Sequence, residues 1–367
     1  MEPVKIGIIG CGNISTQYFK GCAAYPELEV VAVADLNHEA AQKQAEAFPA
    51  PRVLEVDALI DDPEVEIVLN LTIPAVHAEI NTRALNAGKH AYCEKPFALN
   101  TTDGQAVLEL AASKSLRVGC APDTFLSGTL QTARKVIDAG VIGRPLTATA
   151  NMQCGGHETW HPSPEFYYKP GGGPLLDMGP YYLTALVNLL GPVRSVAAFA
   201  RASFEERTIT SQPRHGTQIT VETPTLICGT LDFASDVLAN ITFSFDHRRG
   251  LDFPMLQIAG TEGTLTLPDP NTFAGELILK RPGEPEPETL PIEHPHGGQR
   301  SIGLADMARA LRLERSQRVS GALAQHVLEV MTACLHSGET QTFQSMQSTC
   351  ERPAMLPTGL QPGELTD

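Results

Sequence analysis

Short apolar runs alternate with helix-type segments over the first 120 residues, and this alternation restricts the possible fold more than any other feature. Val4–Ile9 and 29–34 are predominantly apolar, as expected for strands that are buried on both faces. A helical pattern follows each of them, and further strands are predicted at 65–70, 90–93 and 116–120. Strands that alternate with helices of this length predict a parallel sheet with helices on both faces.

The pattern changes after Pro122, where longer strand-type segments follow one another with few helices between them. Examples are 146–153 and 237–245. Such segments predict a large, mostly antiparallel open sheet in a second domain. We therefore predict an α/β protein with a parallel-sheet domain at 1–122 and a second domain, which contains the open sheet, at 123–367.

The charge balance argues against several classes of partner. The 367 residues include 27 Lys and Arg and 42 Asp and Glu, a formal net charge of −15. A phosphate backbone or an anionic membrane surface would be repelled, so we expect neither nucleic acid nor membrane as a partner. No apolar run reaches the roughly 20 residues that span a bilayer, and the first residues lack a signal-peptide pattern. The eight scattered cysteines form no C-x-x-C pair, so we expect a cytoplasmic protein with reduced thiols.

A glycine turn joins the first predicted strand to the first predicted helix. Gly10 allows a tight turn, and Gly12 lets the backbone approach a pyrophosphate at the positive N-terminus of the helix. Ser15 takes the third small position. Asp35 ends the next strand, where a carboxylate can bind a ribose 2′-hydroxyl group. The pattern predicts a Rossmann dinucleotide site, with a plain glycine turn and a capping aspartate as the alternative.

Asp35 also bears on which dinucleotide binds. Its carboxylate would repel a 2′-phosphate, and the residues at 36–39 include no Arg or Lys that would attract one. We therefore predict that the cofactor is NAD rather than NADP.

The segment His157-Glu158-Thr-Trp160-His161 reads as H-E-x-x-H, which binds zinc when both histidines lie on one helix. Two glycines precede it and Pro162 follows it, so an interior helix is not expected and we predict no metal site. The histidines are instead candidates for hydrogen bonds to substrate hydroxyl groups or for accepting a proton. Trp160 is a candidate for stacking on a sugar. Packing beneath the loop is the alternative for Trp160.

Four motifs occur in an order typical of one enzyme family. They are Gly10-x-Gly12, NLTIPAVHAE at 70–79, Glu94-Lys95-Pro96, and GGGPLLDMGPYY at 171–182. In these motifs the chain resembles the Gfo/Idh/MocA family of nicotinamide-dependent oxidoreductases, from Val4 to its last predicted helix. The resemblance implies a Rossmann dinucleotide-binding domain at 1–122. It also implies that the α/β domain with the open sheet, at 123–367, binds the substrate and forms the oligomer. It also implies oxidation of a secondary alcohol of a sugar, polyol or related compound, and assembly into dimers or tetramers.

The glycine turn and the resemblance together assign the cofactor contacts. Lys95 matches the lysine that touches substrate and nicotinamide ribose, and a lysine at the carboxyl end of a parallel strand faces the ligand crevice. A packing or helix-capping role is the alternative for His77. The predicted cofactor-binding residues are Gly10, Gly12, Asn13, Ile14, Asp35, Thr72, Pro74, His77, Glu94 and Lys95.

The substrate site departs from the family pattern at one motif. The family usually has D-x-G-x-H-x-x-D, in which the histidine accepts the proton, whereas this chain has Asp177, then Tyr181 and Thr184 at the last two positions. The segment APDTF at 121–125 also departs from the usual pattern and makes Asp123 a candidate. The predicted substrate contacts are Lys95, Asp123, His157, Trp160, His161, Asp177 and Tyr181.

We predict Lys95, Asp177 and Tyr181 as the catalytic residues. A tyrosine is a poor base near neutral pH, but a nearby cation favours its phenolate, so Lys95 would assist Tyr181 in taking the hydroxyl proton. Asp177 would orient the substrate. The alternatives are that His157, His161 or Lys95 itself is the base, and that Tyr181 only shapes the pocket.

Three functions remain open from the sequence. The leading one is an NAD-dependent dehydrogenase acting on a polyhydroxylated small molecule. The others are a glycoside-cleaving enzyme that uses NAD transiently and a non-catalytic NAD-binding sensor. We also predict a homo-oligomer, because apolar residues of the 237–245 strand, such as Leu238, Ile241 and Phe243, would leave an apolar sheet face to be covered.

Overall fold

Strands and helices alternate up to residue 138 in the computed structural model, which describes residues 1–48, 51–247, 253–293, 298–361 and 363–366. The first part of the chain contains β1 (Val4–Ile9), α1 (Ser15–Ala24), β2 (Leu28–Ala34), α2 (His38–Ala47), β3 (Arg52–Val53), α3 (Val56–Asp61), β4 (Ile67–Asn70), α4 (His77–Asn86), β5 (His90–Cys93), α5 (Thr101–Ser113), β6 (Val118–Cys120) and α6 (Gly128–Asp138).

Strands predominate in the rest of the chain. It contains β7 (Pro145–Gln153), α7 (Pro174–Leu190), β8 (Val193–Arg201), β9 (Glu206–Thr208), β10 (Gln218–Thr220), β11 (Leu226–Phe233), β12 (Leu238–Ser244), β13 (Leu256–Gly260), β14 (Thr264–Leu267), β15 (Leu277–Lys280), β16 (Glu288–Leu290), α8 (Ile302–Arg312), α9 (Gly321–Thr340) and β17 (Gln344–Ser345). Among the described helices, none is both long and apolar enough to cross a membrane.

The first sheet has six parallel strands in the order β3-β2-β1-β4-β5-β6. Its central strands are apolar because helices cover both faces; Ile6, Ile8 and Val68 are fully buried. The strand order reverses between β1 and β4, and ligands of such sheets bind outside the carboxyl ends at this switch point. The predicted parallel sheet is confirmed.

The second sheet has nine strands in the order β16-β15-β14-β13-β7-β12-β11-β8-β17. β7 and β12 run parallel, and the other described pairs are antiparallel. This arrangement confirms the predicted fold class. Helix α7 packs across β7, β11 and β12 on one face of the sheet.

The apolar side chains of β12 do not form the exposed sheet face that was predicted to be covered in an oligomer. Ile241 and Phe243 point to the face that α7 covers and are buried. Side chains alternate along a strand, so Leu238 and Thr242 lie on the opposite face, where Leu238 is 51% exposed. The apolar alternation expected for a free face therefore belongs to the core of this unit.

The chain divides into two compact units, and the division differs from the predicted boundary at 122/123. The first unit contains Met1–Gly128, His294–Leu328 and Pro353–Asp367, and the second contains Thr129–Glu293 and Glu329–Arg352. Late segments join the first unit because α8 packs beside β6. The Arg318 guanidinium also donates hydrogen bonds to the carbonyls of Ala354 and Met355.

Candidate active site

The turn between β1 and α1 uses its two glycines for different reasons. Gly10 has φ of +105°, and a Cβ added there would lie 2.6 Å from the carbonyl of Leu71. At Gly12, no described atom lies within 4 Å of an added Cβ, so the backbone is open at the start of α1. Ser15 is buried, and its hydroxyl donates to the Gly12 carbonyl at 2.7 Å. The fold requires Gly10, whereas Gly12 leaves room for a ligand to approach the backbone.

Asp35 is held at the end of β2 beside this turn. Its Oδ2 accepts from the Cys11 backbone N–H and its Oδ1 from the Asn37 N–H, both at 2.7 Å. Burial and the nearby carboxylate raise the pKa of the Cys11 thiol to about 12, so it stays protonated. The carboxylate thus has a fixed position where a ribose hydroxyl group would bind.

The loop after β4 is organised by Asn70, a residue that sequence analysis did not single out. Its Oδ1 accepts from the backbone N–H of Thr72 at 3.2 Å and from the Thr72 hydroxyl at 2.6 Å. Its Nδ2 donates to the His77 carbonyl and to Asn81 Oδ1, each at 3.1 Å. A buried amide at the end of an otherwise apolar strand was the available signal. Thr72 and Pro74 follow it and are partly exposed.

His77 lies beneath the loop after β4. It is fully buried, with Nδ1 2.7 Å from the Pro96 carbonyl oxygen and Nε2 3.0 Å from that of Thr72. Burial lowers its pKa, against the opposing effect of the two carbonyls. We therefore correct its predicted role from cofactor contact to a positioning residue that joins two loops.

Glu94 also acts on the backbone around it. Its Oε1 accepts from the Tyr18 hydroxyl at 2.7 Å and lies 3.8 Å from Arg300 Nη1, and its Oε2 accepts from the Lys95 backbone N–H at 3.0 Å. The carboxylate is buried, whereas Lys95 is half-buried. Glu94 thus fixes the main chain that carries Lys95. Tyr18 and Arg300 were missed because neither belongs to a recognisable motif.

Asp123 does not lie where the sequence predicted. It is fully buried, and its Oδ2 accepts from the Gly303 N–H at 3.1 Å in the first turn of α8. Burial raises its pKa to about 6. We therefore correct its predicted role from substrate contact to a helix-capping residue within the first unit.

In the second unit, the glycine-rich motif begins helix α7. Gly173 has φ of +89°, and a Cβ added at Gly172 would lie 2.4 Å from the Phe166 carbonyl oxygen. Pro174 then occupies the first helical turn. Asp177 and Tyr181 are four residues apart and share one helix face. Tyr181 is 4% exposed.

His157 links the preceding segment to α7. It lies in a short turn (His157–Thr159) and is mostly buried. Its Nε2 is 2.8 Å from Asp177 Oδ2, and its Nδ1 accepts from the indole N–H of Trp160 at 3.2 Å. The structure therefore brings together three of the predicted substrate residues.

Aromatic rings pack around His157. The ring centroids of Tyr167 and Phe245 lie 4.4 and 4.5 Å from that of His157. Trp160 is 61% exposed, which argues against the alternative that it packs beneath the loop. His161 Nδ1 accepts from the Ser163 N–H at 3.1 Å, and partial burial lowers the pKa of the ring.

Glu158 lies in a buried ionic network. Its Oε1 forms an ion pair with Arg207 Nε at 3.0 Å, although the N–H is not aimed at the oxygen. Its Oε2 accepts from the Tyr168 hydroxyl, and Arg207 Nη1 donates to Asp246 at 3.1 Å. The H-E-x-x-H residues thus lack the one-helix arrangement of a zinc site, and the described part of the chain shows no cluster of three metal-binding side chains. The absence of bound zinc stays a prediction.

Two family models match the chain. Residues 4–121 match the model described as "Oxidoreductase family, NAD-binding Rossmann fold", and residues 130–266 match the "GFO/IDH/MocA C-terminal domain". Together they cover more than half of the sequence.

Several known proteins are similar in sequence. A dTDP-3,4-didehydro-2,6-dideoxy-alpha-D-glucose 3-reductase of Streptomyces violaceoruber is 30% identical over 323 residues, 85% of this chain and 86% of that protein. An inositol 2-dehydrogenase of Salmonella typhimurium is 33% identical over 149 residues, 39% of this chain and 44% of that protein. An uncharacterized oxidoreductase of Schizosaccharomyces pombe is 31% identical, and the match spans 54% of this chain and only 55% of that protein.

Solved structures share the fold. An aldose-aldose oxidoreductase from Caulobacter crescentus, complexed with glycerol, has a TM-score of 0.78 at 22% identity, covering 94% of this chain and all of that one. A levoglucosan dehydrogenase in complex with NADH and L-sorbose has a TM-score of 0.82 at 20% identity, covering 94% and 99%. At these identities the likeness shows the architecture alone.

Proposed function

The chain is an oxidoreductase of the Gfo/Idh/MocA family with an NAD-binding Rossmann domain, and on that premise we propose that it oxidises a secondary alcohol of a sugar, polyol or related small molecule, or reduces the ketone. The observation that carries the proposal is the Asp177–His157 pair, one helical turn from Tyr181 and bordered by aromatic rings. Convergent polar groups with aromatic neighbours suit a polyhydroxylated ligand. Relatives named for a dTDP-sugar and for inositol support the same class.

The first unit fits the dinucleotide. Gly12 leaves the backbone open at the N-terminus of α1, and Asp35 places two carboxylate oxygens beside the turn. We assign Gly10, Gly12, Asn13, Ile14 and Asp35 to this site. Bound NAD supplies the hydride acceptor. Its 2′-phosphorylated form is disfavoured by Asp35, so NAD is the proposed cofactor.

Thr72, Pro74, Glu94 and Lys95 complete the proposed cofactor contacts. Thr72 and Pro74 are partly exposed in the loop after β4 that Asn70 and His77 organise. Lys95 follows β5, with its backbone held by Glu94.

The proposed proton acceptor is Tyr181. His157 is the less suitable base, because its Nδ1 lone pair accepts the Trp160 N–H and its Nε2 faces Asp177. Asp177 is proposed to hold the reacting alcohol by accepting its neighbouring hydroxyl groups. His161 and Trp160 are proposed to contact other parts of the substrate.

A substrate screen tests the function. NAD reduction is followed at 340 nm against sugars, inositols and glycosides, with product analysis by chromatography. The proposal expects stoichiometric NADH with at least one polyol. Glycoside cleavage without net NADH would support the transient-NAD alternative, and NAD binding without turnover would support a sensor.

Substitution of Tyr181 tests the base. Tyr181→Phe removes one hydroxyl, and since a positioned base contributes ~10²–10⁴-fold, kcat should fall by about that factor while NAD affinity holds. Tyr182→Phe is the matched control, because Tyr182 is buried next to Asp269 and packs on Phe243. A loss of less than about threefold in Tyr181→Phe would move the role to another residue.

We also propose that the protein forms at least a dimer through the sheet face opposite α7. Leu238, Phe199 and Phe343 expose 51%, 61% and 82% of their surface in the second unit. Covering such apolar area favours association. Light scattering should exceed the monomer mass of 39.4 kDa at micromolar protein, and a mass at that value would refute the proposal.

A further inference from the structure

Three side chains of the second unit form a chain of hydrogen bonds that ends on Asp177. The Trp160 indole N–H lies 3.2 Å from His157 Nδ1, and His157 Nε2 lies 2.8 Å from Asp177 Oδ2. An indole nitrogen can only donate, so Nδ1 must present its lone pair. A neutral imidazole then carries its single proton on Nε2 and donates it to the carboxylate. The geometry thus specifies the direction of both hydrogen bonds.

Because Nδ1 of His157 accepts a hydrogen bond from Trp160, protonation of Nδ1 is disfavoured. An imidazolium carries a proton on both nitrogens, so Nδ1–H would face the indole N–H and leave two donors opposed. The ring has little freedom to turn away, because Tyr167 and Phe245 pack against it and it is 8% exposed. The titratable side chains next to His157 are Asp177, which lies 2.8 Å from Nε2, together with Tyr167 and His161. In general, a carboxylate favours an imidazolium and a second charged histidine opposes it.

We propose that Trp160 is a positioning residue whose indole N–H keeps His157 in the neutral Nε2–H form. His157 then acts as a fixed donor to Asp177, which remains an anion with a single orientation and accepts hydroxyl groups of the substrate. Without the indole N–H, His157 can take a proton from solvent and form an ion pair with Asp177. That ion pair weakens Asp177 as an acceptor. The effect on the protonation of His157 stands on geometry alone, whereas its effect on turnover rests on the proposed function.

Trp160→Phe tests the consequence for activity, because it keeps an aromatic ring and removes the donor. The ratio of kcat/KM at pH 8.5 to that at pH 6 should rise by up to about tenfold, the factor that corresponds to one ordinary hydrogen bond. The matched background is His157→Gln, whose amide can donate to Asp177 but takes up no proton. Adding Trp160→Phe to it should leave that ratio unchanged. An unchanged ratio in the single variant, or an equal rise in the double variant, overturns the proposal.

Nuclear magnetic resonance tests the proton directly, without substrate or turnover. Protein labelled with ¹⁵N-histidine is titrated, and the His157 signals are those lost in His157→Gln. The wild type should show Nδ1 unprotonated and Nε2 protonated at pH 7.5, and Trp160→Phe should reach half-protonation about one pH unit higher than the wild type. Protonated Nδ1 in the neutral wild-type ring, or equal titrations, would refute the role of Trp160 even if the dehydrogenase activity is found. The expected spectra with no activity would reject the proposed function alone.

Discussion

The turn between β1 and α1 and the segment 155–168 present their functional groups in opposite ways. The turn presents backbone, left open at Gly12 and braced by Asp35. The segment presents side chains, with His157 fixed on one side and Glu158 in a buried ionic network on the other. A backbone site depends on the few residues that make the turn. A side-chain site depends on partners that are distant in sequence, and so substitutions at those distant residues can disrupt it more easily.

The largest effect is expected from the network under the segment 155–168. Arg207→Leu leaves the carboxylates of Glu158 and Asp246 buried without their cation, and breaking such a group costs about 3–5 kcal/mol of unfolding free energy. Urea unfolding measures it. Arg214→Leu, which breaks a more exposed pair with Glu165, should cost under about 1 kcal/mol. Equal losses in the two variants would show that the network does not support the segment.

Substitutions of the two glycines in the turn should have different effects, one on the unfolding free energy and the other on NAD binding. Gly10→Ala combines an unfavourable φ with a clash against the Leu71 carbonyl, so we expect a loss of about 3–4 kcal/mol. Gly12→Ala meets no described atom within 4 Å and should leave the unfolding free energy within about 0.5 kcal/mol of wild type. Its NAD affinity should fall, because the added methyl group occupies the open backbone. Unimpaired NAD binding by Gly12→Ala would contradict the role of the turn.

A buried carboxyl group of the first unit gives a pH-dependent effect of intermediate size. The folded pKa of Asp123 is raised from 3.8 to about 6, so the wild type loses stability as pH rises between these values and recovers none above them. Asp123→Asn stays neutral and keeps an acceptor for the Gly303 N–H. It should be more stable than wild type by at most about 3 kcal/mol at pH 8, with the difference vanishing below about pH 4.

Exposed Asp103 provides the control for this comparison. Asp103→Asn should show no comparable gain between pH 4 and pH 8, because its side chain lies at the surface of α5. A gain at Asp123 that is the same at both pH values would indicate a packing effect rather than a titration.

The smallest effect concerns the choice of dinucleotide. NAD should bind at least tenfold tighter than NADP, a difference of about 1.4 kcal/mol. Asp35→Ser should narrow this difference, since it removes the charge that repels the 2′-phosphate. Calorimetric titration of both dinucleotides measures it. Equal affinities in the wild type would show that the turn does not discriminate between them.

Local sequence patterns were sufficient to predict the sheet and the glycine turn of the first unit. β1 begins and ends where the apolar run does, and Gly10 has the positive φ that the tight turn implied. The pattern was less informative at α7, where three glycines and two prolines surround the start of a 17-residue helix. Tertiary packing against the second sheet stabilises this helix despite Pro180, and sequence periodicity does not report such packing.

The sequence by itself determined the fold class and the backbone turn that suits a dinucleotide, because hydrophobic periodicity and glycine conformations are local properties. Its four motifs also carried the resemblance to the family. Tertiary structure alone decided the partners of individual side chains. It placed Asp123 and His77 in the interior, turned Ile241 and Phe243 toward α7, and paired His157 with Asp177. These outcomes depend on contacts between segments far apart in the chain, and a buried polar group must find a hydrogen-bond partner wherever the fold supplies one.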